Sequence, residues 1–236
     1  MRLFKILLVW FGLAVSSFAA AQVAPVVPPP PPSPENILHL ELSTGGAVTI
    51  ELRPDKAPGH IVRIKQLTRS GFYDGLLFHR VIEGFMAQTG DPQGTGAGGS
   101  PLPDLKAEFN DLPHFRGAVS MARTDAPDSA NSQFFIVFQP TLRLDGKYTV
   151  IGRVLNGMQY VDVIERGEPP AAPSKIVKGW LESDGRDAKR IALVIPPVAA
   201  PGAAVSKAIA VVPPPVAVAD PKKDKKAKKD KKKSKG

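Results

Sequence analysis

Cysteine is missing altogether from the 236 residues. That rules out disulfides, thiolate metal ligands and lipid attachment at a cysteine, so any folded part must rest on an ordinary apolar core. No apolar run approaches the roughly 20 residues that a membrane-spanning helix takes. The four histidines, His39, His60, His79 and His114, are scattered without ligand spacing, and no metal is expected. A G-x-S-x-G elbow, the mark of one class of serine hydrolase, is absent, and so is any internal repeat. Gly94, Gly96 and Gly99 do satisfy G-x-G-x-x-G, but Ser100-Pro101-Leu102-Pro103 cannot open a helix behind them. A dinucleotide site needs strand, glycines and helix in that order, so these glycines form a tight surface loop instead.

What is present is unevenly distributed. The net charge is +9, yet residues 222–236 (KKDKKAKKDKKKSKG) hold ten Lys and two Asp, and Arg2 and Lys5 stand at the other end. The stretch between is close to neutral. A nucleic-acid-binding fold would carry Lys and Arg on a folded face, so nucleic acid is not an expected partner. Arg2 and Lys5, the apolar stretch 6–15 and the small residues Ala19-Ala20-Ala21 have the pattern of a secretory signal peptide. Cleavage near Ala21 and an exported, periplasmic location follow as expectations. The proline-dense residues 22–35 suit an extended spacer. Residues 36–194 suit one domain large enough for its own core. Residues 195–221 form a second Pro/Ala linker, and 222–236 a Lys-rich tail too charged to bury anything. Both extensions are expected to be disordered and the chain monomeric, with the tail a candidate for docking on an anionic surface.

Inside the domain, strand patterns dominate. Residues 37–42 and 47–52 alternate apolar and polar around Ser43-Thr44-Gly45-Gly46, which predicts a hairpin. Pro58 opens a helical stretch with Ile61, Ile64 and Leu67 on one face and Gly71 as its stop. Further strands are predicted at 76–82, 85–89, 117–122, 133–138 and 148–154. A second short helix is predicted over 158–166, with Met158, Val161 and Ile164 inward and Gly167 as its stop. Many short strands with two helices predict an all-β fold, a closed antiparallel barrel capped by two short helices.

One residue conflicts with its surroundings. Arg80 lies inside an apolar alternating run, FHRVIEGFM, where a buried strand would reject a permanent charge. Arg does not deprotonate, so it must be paired or aimed into a cleft. Alternation puts Phe78, Arg80 and Ile82 on one side and His79 and Val81 on the other. It also joins Met86 with Gln88, and Gln133 with Phe135. If these strands are neighbours, one concave surface carries Arg80, Met86, Gln88, Gln133 and Phe135. Two readings stay open on pattern alone: a pocket for a small apolar group beside a peptide carbonyl, or an arginine paired with a core carboxylate among plain core residues. His79 is expected to be a satisfied core residue.

The run FHRVIEGFMAQTGDPQGTGAGG at 78–99 resembles the signature of the cyclophilin peptidyl-prolyl isomerases. Further similarities follow in the same order: GFYDG at 71–75, EFN at 108–110, SMA at 120–122, SQFFI at 132–136 and LDGKYTVIGRV at 144–154. The resemblance implies an eight-stranded barrel with two capping helices. It also implies a peptidyl-prolyl cis-trans isomerase that acts on proline-containing polypeptides without a cofactor. Arg80 would be catalytic, and Phe85, Met86, Phe135 and Leu144 would line the proline pocket. Gln88, Ala122 and Gln133 would contact the peptide, and Arg123 would offer its main chain. Tyr148 stands where well-known members carry His, keeping an aromatic wall with a polar tip. Arg143 stands where those members carry Trp, which weakens the expectation of cyclosporin inhibition more than that of isomerisation. A peptide-binding chaperone module with little catalysis is the alternative on the same fold.

Overall fold

The computed structural model describes residues 32–195. The expected signal peptide, residues 22–31 and 196–221 of the two linkers, and the Lys-rich tail lie outside those residues. Eight strands and two α-helices follow in chain order. They are β1 (Ile37–Leu42), β2 (Gly46–Leu52), α1 (Pro58–Ser70), β3 (Arg80–Ile82), β4 (Met86–Thr89), β5 (Ala118–Met121), β6 (Phe134–Val137), β7 (Val150–Asn156), α2 (Met158–Asp162) and β8 (Ile176–Leu181).

The predicted hairpin forms with Ile37 opposite Glu51 and Leu42 opposite Gly46. Its inward residues Leu38, Leu40, Leu42, Val48, Ile50 and Leu52 are all buried in one core. The helix opened by Pro58 buries Ile61, Ile64 and Leu67 against β8. It stops at Gly71, whose φ of +76° lets its N–H turn back to the carbonyls of Leu67 and Thr68. A left-handed C-terminal residue is the common end of a helix, and Gly adopts it without a Cβ clash. The cap of its other end comes from afar. Ala57 offers no side-chain acceptor, and Glu108 supplies both, taking the Gly59 N–H at 2.9 Å and the His60 N–H at 3.0 Å. The EFN similarity is therefore a helix cap, with a carboxylate at the positive end of the helix dipole.

All strands pair antiparallel in the order β3-β4-β6-β5-β7-β2-β1-β8. The expected closure is not found. No ladder joins β3 to β8, and only the single bridges Leu77–Lys175 and Val81–Gly167 tie the β3 side to the chain ahead of β8. The sheet is an open half-barrel, with β3 making no more than one bridge on its outer side. Two more expectations are corrected. The second helix ends at Asp162, four residues early, and β8 falls in a segment where no strand was predicted.

Burial of titratable groups gives this fold a pH dependence. His60, His79 and His114 are all buried, and desolvation holds each below the ordinary imidazole range despite nearby carboxylates that pull the other way. In the unfolded chain these rings take up protons near pH ~6.5, above the value they have in the fold. The unfolded state therefore binds more protons as pH falls, and stability is lost in that direction. Glu108 loses stabilisation with acid too. Burial raises its pKa, but the bonds from the His60 side chain and the Gly59 and His60 amides lower it further. Urea midpoints should fall between pH 7.5 and 5.5, and a flat or rising midpoint would contradict these burial assignments.

Candidate active site

Residues directly opposite in an antiparallel ladder share a face. Arg80 opposes Gln88, Gln88 opposes Phe135, and Phe135 opposes Ser120, so these four form one row across β3, β4, β6 and β5. The next row on the same face holds Ile82, Met86 and Val137. The alternate residues Val81, Ala87, Ile136 and Val119 turn into the main core. The outer face carries a second, separate apolar cluster: Phe85, Met86, Ala118, Ala122, Phe135, Val137, Leu144 and Tyr148, with Ile82 against it. Both faces of β4 and β6 are covered, which is why their burial shows no alternation.

The sequence-derived set is thus brought together, with corrections. Arg80 sits on an edge strand and not in a buried one, and its side chain is 13% exposed. Its Nε donates to Glu168 Oε2 at 2.7 Å. The partner is not a core carboxylate: Glu168 is 49% exposed, at the rim of the site. Phe78 leaves the face of Arg80 and joins the main core, since the chain is not yet a strand there. His79 is buried, as expected, and its ring makes no hydrogen bond of good geometry, although the Leu77 backbone and the Gln133 side chain lie close to it.

The apolar pocket residues are more enclosed than an open hollow would require. Phe85, Met86, Phe135 and Leu144 are each at most 1% exposed. The Arg143 guanidinium lies 4.9 Å from the centre of the Phe85 ring and covers it. Tyr148 meets Phe135 edge-on at 6.0 Å and lies under the Arg123 guanidinium at 4.5 Å.

Polar groups hold this cluster in shape. Gln88 Nε2 donates to Gln133 Oε1 at 2.8 Å, and Gln133 Nε2 donates to the carbonyls of Gly96 and Gly98 at 2.9 and 2.7 Å. Gln133 therefore ties the glycine loop to the site. The loop winds around Asp91, which accepts the amides of Gln93, Thr95, Gly96 and Gly98. Burial raises the Asp91 pKa, but these amides outweigh it and leave the carboxyl below the usual range. A Cβ on Gly98 would stand 2.0 Å from Asp91 Oδ1, so the loop needs glycine there. Gly94, Gly96 and Gly99 are part of a carboxylate-centred turn, with no helix behind them.

A chain that sequence reasoning missed lies beneath Phe135. Asp145 Oδ1 accepts the His114 amide at 2.9 Å and stands 2.7 Å from His114 Nδ1. His114 Nε2 is 3.1 Å from Ser120 Oγ, which donates to the Thr149 carbonyl. The His114 ring stacks on Phe135 at 6.2 Å and 13°. Asp145 lies in the LDGK similarity and Ser120 in SMA, which was the available signal.

An amphipathic row of this kind, a guanidinium beside a dedicated apolar cluster, can grip a ring and present donors to the adjacent amide. Comparison with known proteins gives the family. The family model for cyclophilin type peptidyl-prolyl cis-trans isomerases matches residues 37–179. The chain belongs to the cyclophilin family of peptidyl-prolyl cis-trans isomerases. It is 46% identical over 188 residues to a probable peptidyl-prolyl cis-trans isomerase of Brucella suis, covering 73% of this chain and 95% of that one. It is 43% identical over 129 residues to peptidyl-prolyl cis-trans isomerase B of Bacillus subtilis, covering 54% and 89%. Among solved structures, a cyclophilin from Hirschia baltica matches with a TM-score of 0.61 at 31% identity, covering 66% of this chain and 77% of that one. A Cryptosporidium parvum cyclophilin solved in the presence of the dipeptide Ala-Pro matches with a TM-score of 0.58 at 27% identity, covering 61% and 98%. The cyclophilin family and the isomerase activity are thus those the sequence resemblance implied, whereas the implied closed barrel is an open half-barrel.

Proposed function

We propose that this cyclophilin is exported and accelerates X-Pro rotation in proline-containing segments of exported proteins, assisting their folding. The observation that carries the catalytic part is the row Arg80-Gln88-Phe135 above an apolar cluster distinct from the core. Rotation about an X-Pro bond makes and breaks no covalent bond, and amide resonance sets its barrier at about 18–20 kcal/mol. Holding the ring still and favouring the twisted amide is therefore sufficient chemistry. In the twisted state the prolyl nitrogen becomes pyramidal and accepts a hydrogen bond that the planar amide accepts poorly. Arg80 donates it, which is differential binding of the transition state. Phe85, Met86, Phe135, Leu144 and Tyr148 hold the ring, while Gln88, Ala122, Gln133 and the Arg123 main chain position the peptide.

Export is supported by the charged, apolar and small-residue pattern of residues 1–21. The test is fractionation of cells of a periplasm-bearing host producing the full chain, with each fraction assayed on a proline test peptide. Activity should leave with the osmotic-shock fluid. Activity retained in the cytoplasm would defeat the export reading. Peptide binding without acceleration would favour the chaperone alternative.

A further inference from the structure

Beside the apolar cluster stands a cation that forms no ion pair with any described carboxylate, although the Asp125 charge also acts on the Tyr148 ring beneath it. Arg123 follows Ala122, a member of that cluster, and its guanidinium bridges two aromatic rings, 4.5 Å from the centre of Tyr148 and 5.8 Å from that of Phe109. Phe109 is 41% exposed, so this wall faces solvent. Arg123 Nε and Nη2 donate to the Lys147 carbonyl at 3.2 and 3.0 Å. Nη1 donates to the carbonyls of Thr124 and Asp125 at 2.8 and 3.1 Å. Every one of these acceptors is neutral. Arg80, Arg116 and Arg166 each pair with a carboxylate, whereas no described carboxylate pairs with Arg123.

The consequence is a fixed positive charge. Backbone carbonyls lock the guanidinium in place, and the negative faces of two rings attract it without neutralising it. An incoming carboxylate would meet a cation already oriented, with no side-chain freedom left to lose. The second guanidinium, that of Arg143 over Phe85, adds the same sign to the rim. Resting on the isomerase reading above, we propose that Arg123 sets substrate preference, favouring proline segments that carry Asp or Glu next to the proline. Lysine or arginine at that place would meet like charge and be disfavoured.

The test compares kcat/KM of the full chain, by NMR exchange at low salt, on three peptides that differ only in Glu, Gln or Lys before the proline. A half-exposed pair supports about a three- to fivefold advantage of Glu over Gln, with Lys below both. The ratio should collapse to near one in Arg123→Gln and survive in Arg123→Lys. It should also shrink in wild type at 1 M salt, where the screening length is about 3 Å. Equal rates for Glu and Lys peptides at low salt, or an undiminished ratio in Arg123→Gln, would overturn the preference while leaving the isomerase reading intact. A chain that accelerates none of the three peptides would remove that reading, and the preference with it.

Discussion

Replacing Phe135 by alanine should cost this protein about 3–5 kcal/mol of stability, the usual range for emptying a buried phenylalanine site. The ring is fully buried, stacked on His114 on one side and met edge-on by Tyr148 on another. Its cluster is too small to close over the gap, since it shares no members with the main core. At about 2–4 °C per kcal/mol for a domain of this size, the melting temperature should drop by roughly 10 °C. Isomerisation should fall too, because the ring that holds proline and the ring that braces His114 are the same one. Circular dichroism melts and an isomerase assay below the new transition separate the two effects. An unchanged melting temperature would mean that the second cluster contributes little, and the proline-pocket assignment would go with it.

Arg80→Ala carries the other large effect, and here activity and stability should part. Arg80 is on the edge strand and its Nε donates to Glu168, which is half-exposed, so truncation leaves that carboxylate open to water. Arg80 is mostly covered, but its partner is half in water, and a pair open to solvent on one side contributes about 1 kcal/mol or less, so folding should be little changed. Catalysis depends on the same side chain far more. A hydrogen bond from a charged donor contributes about 1.5–3 kcal/mol. At about 1.4 kcal/mol per tenfold, that is a loss of roughly 10- to 150-fold in turnover. Arg80 alone does not span the barrier, and ring fixation by Phe85, Met86, Phe135 and Leu144 supplies the rest.

Local pattern made the hairpin and α1 legible. Leu38, Leu40 and Leu42 alternate in sequence and are buried in the structure, and Gly71 stops α1 where a left-handed residue was needed. The strand β8 was hidden because Lys178, Gly179 and Trp180 interrupt its apolar pattern. Gly179 is there for close approach, a Cβ at that position lying 3.3 Å from Leu40. Closure was not readable at all, since a count of strands says nothing about whether the first and last meet. At the site, alternation brought Met86, Gln88 and Phe135 to the face of Arg80, but the burial of that strand was misjudged. Its apolar neighbours Phe78 and Val81 belong to the inner core, while Arg80 itself looks outward across β4. Pattern put Gln133 beside Phe135 but could not show that its amide also ties down the glycine loop, a contact between residues some 35 positions apart. The His114-Asp145 pair joins residues 31 positions apart, beyond the reach of any local period.

The most direct measurement is exchange NMR on a proline peptide, comparing wild type, Arg80→Lys and Arg80→Ala at matched folding. A planar fork and a point charge differ in geometry but share a sign. The expected order is wild type, then lysine, then alanine, with the alanine variant at least about tenfold below wild type. Equal exchange rates for wild type and Arg80→Ala would contradict the claim that this guanidinium stabilises the twisted amide.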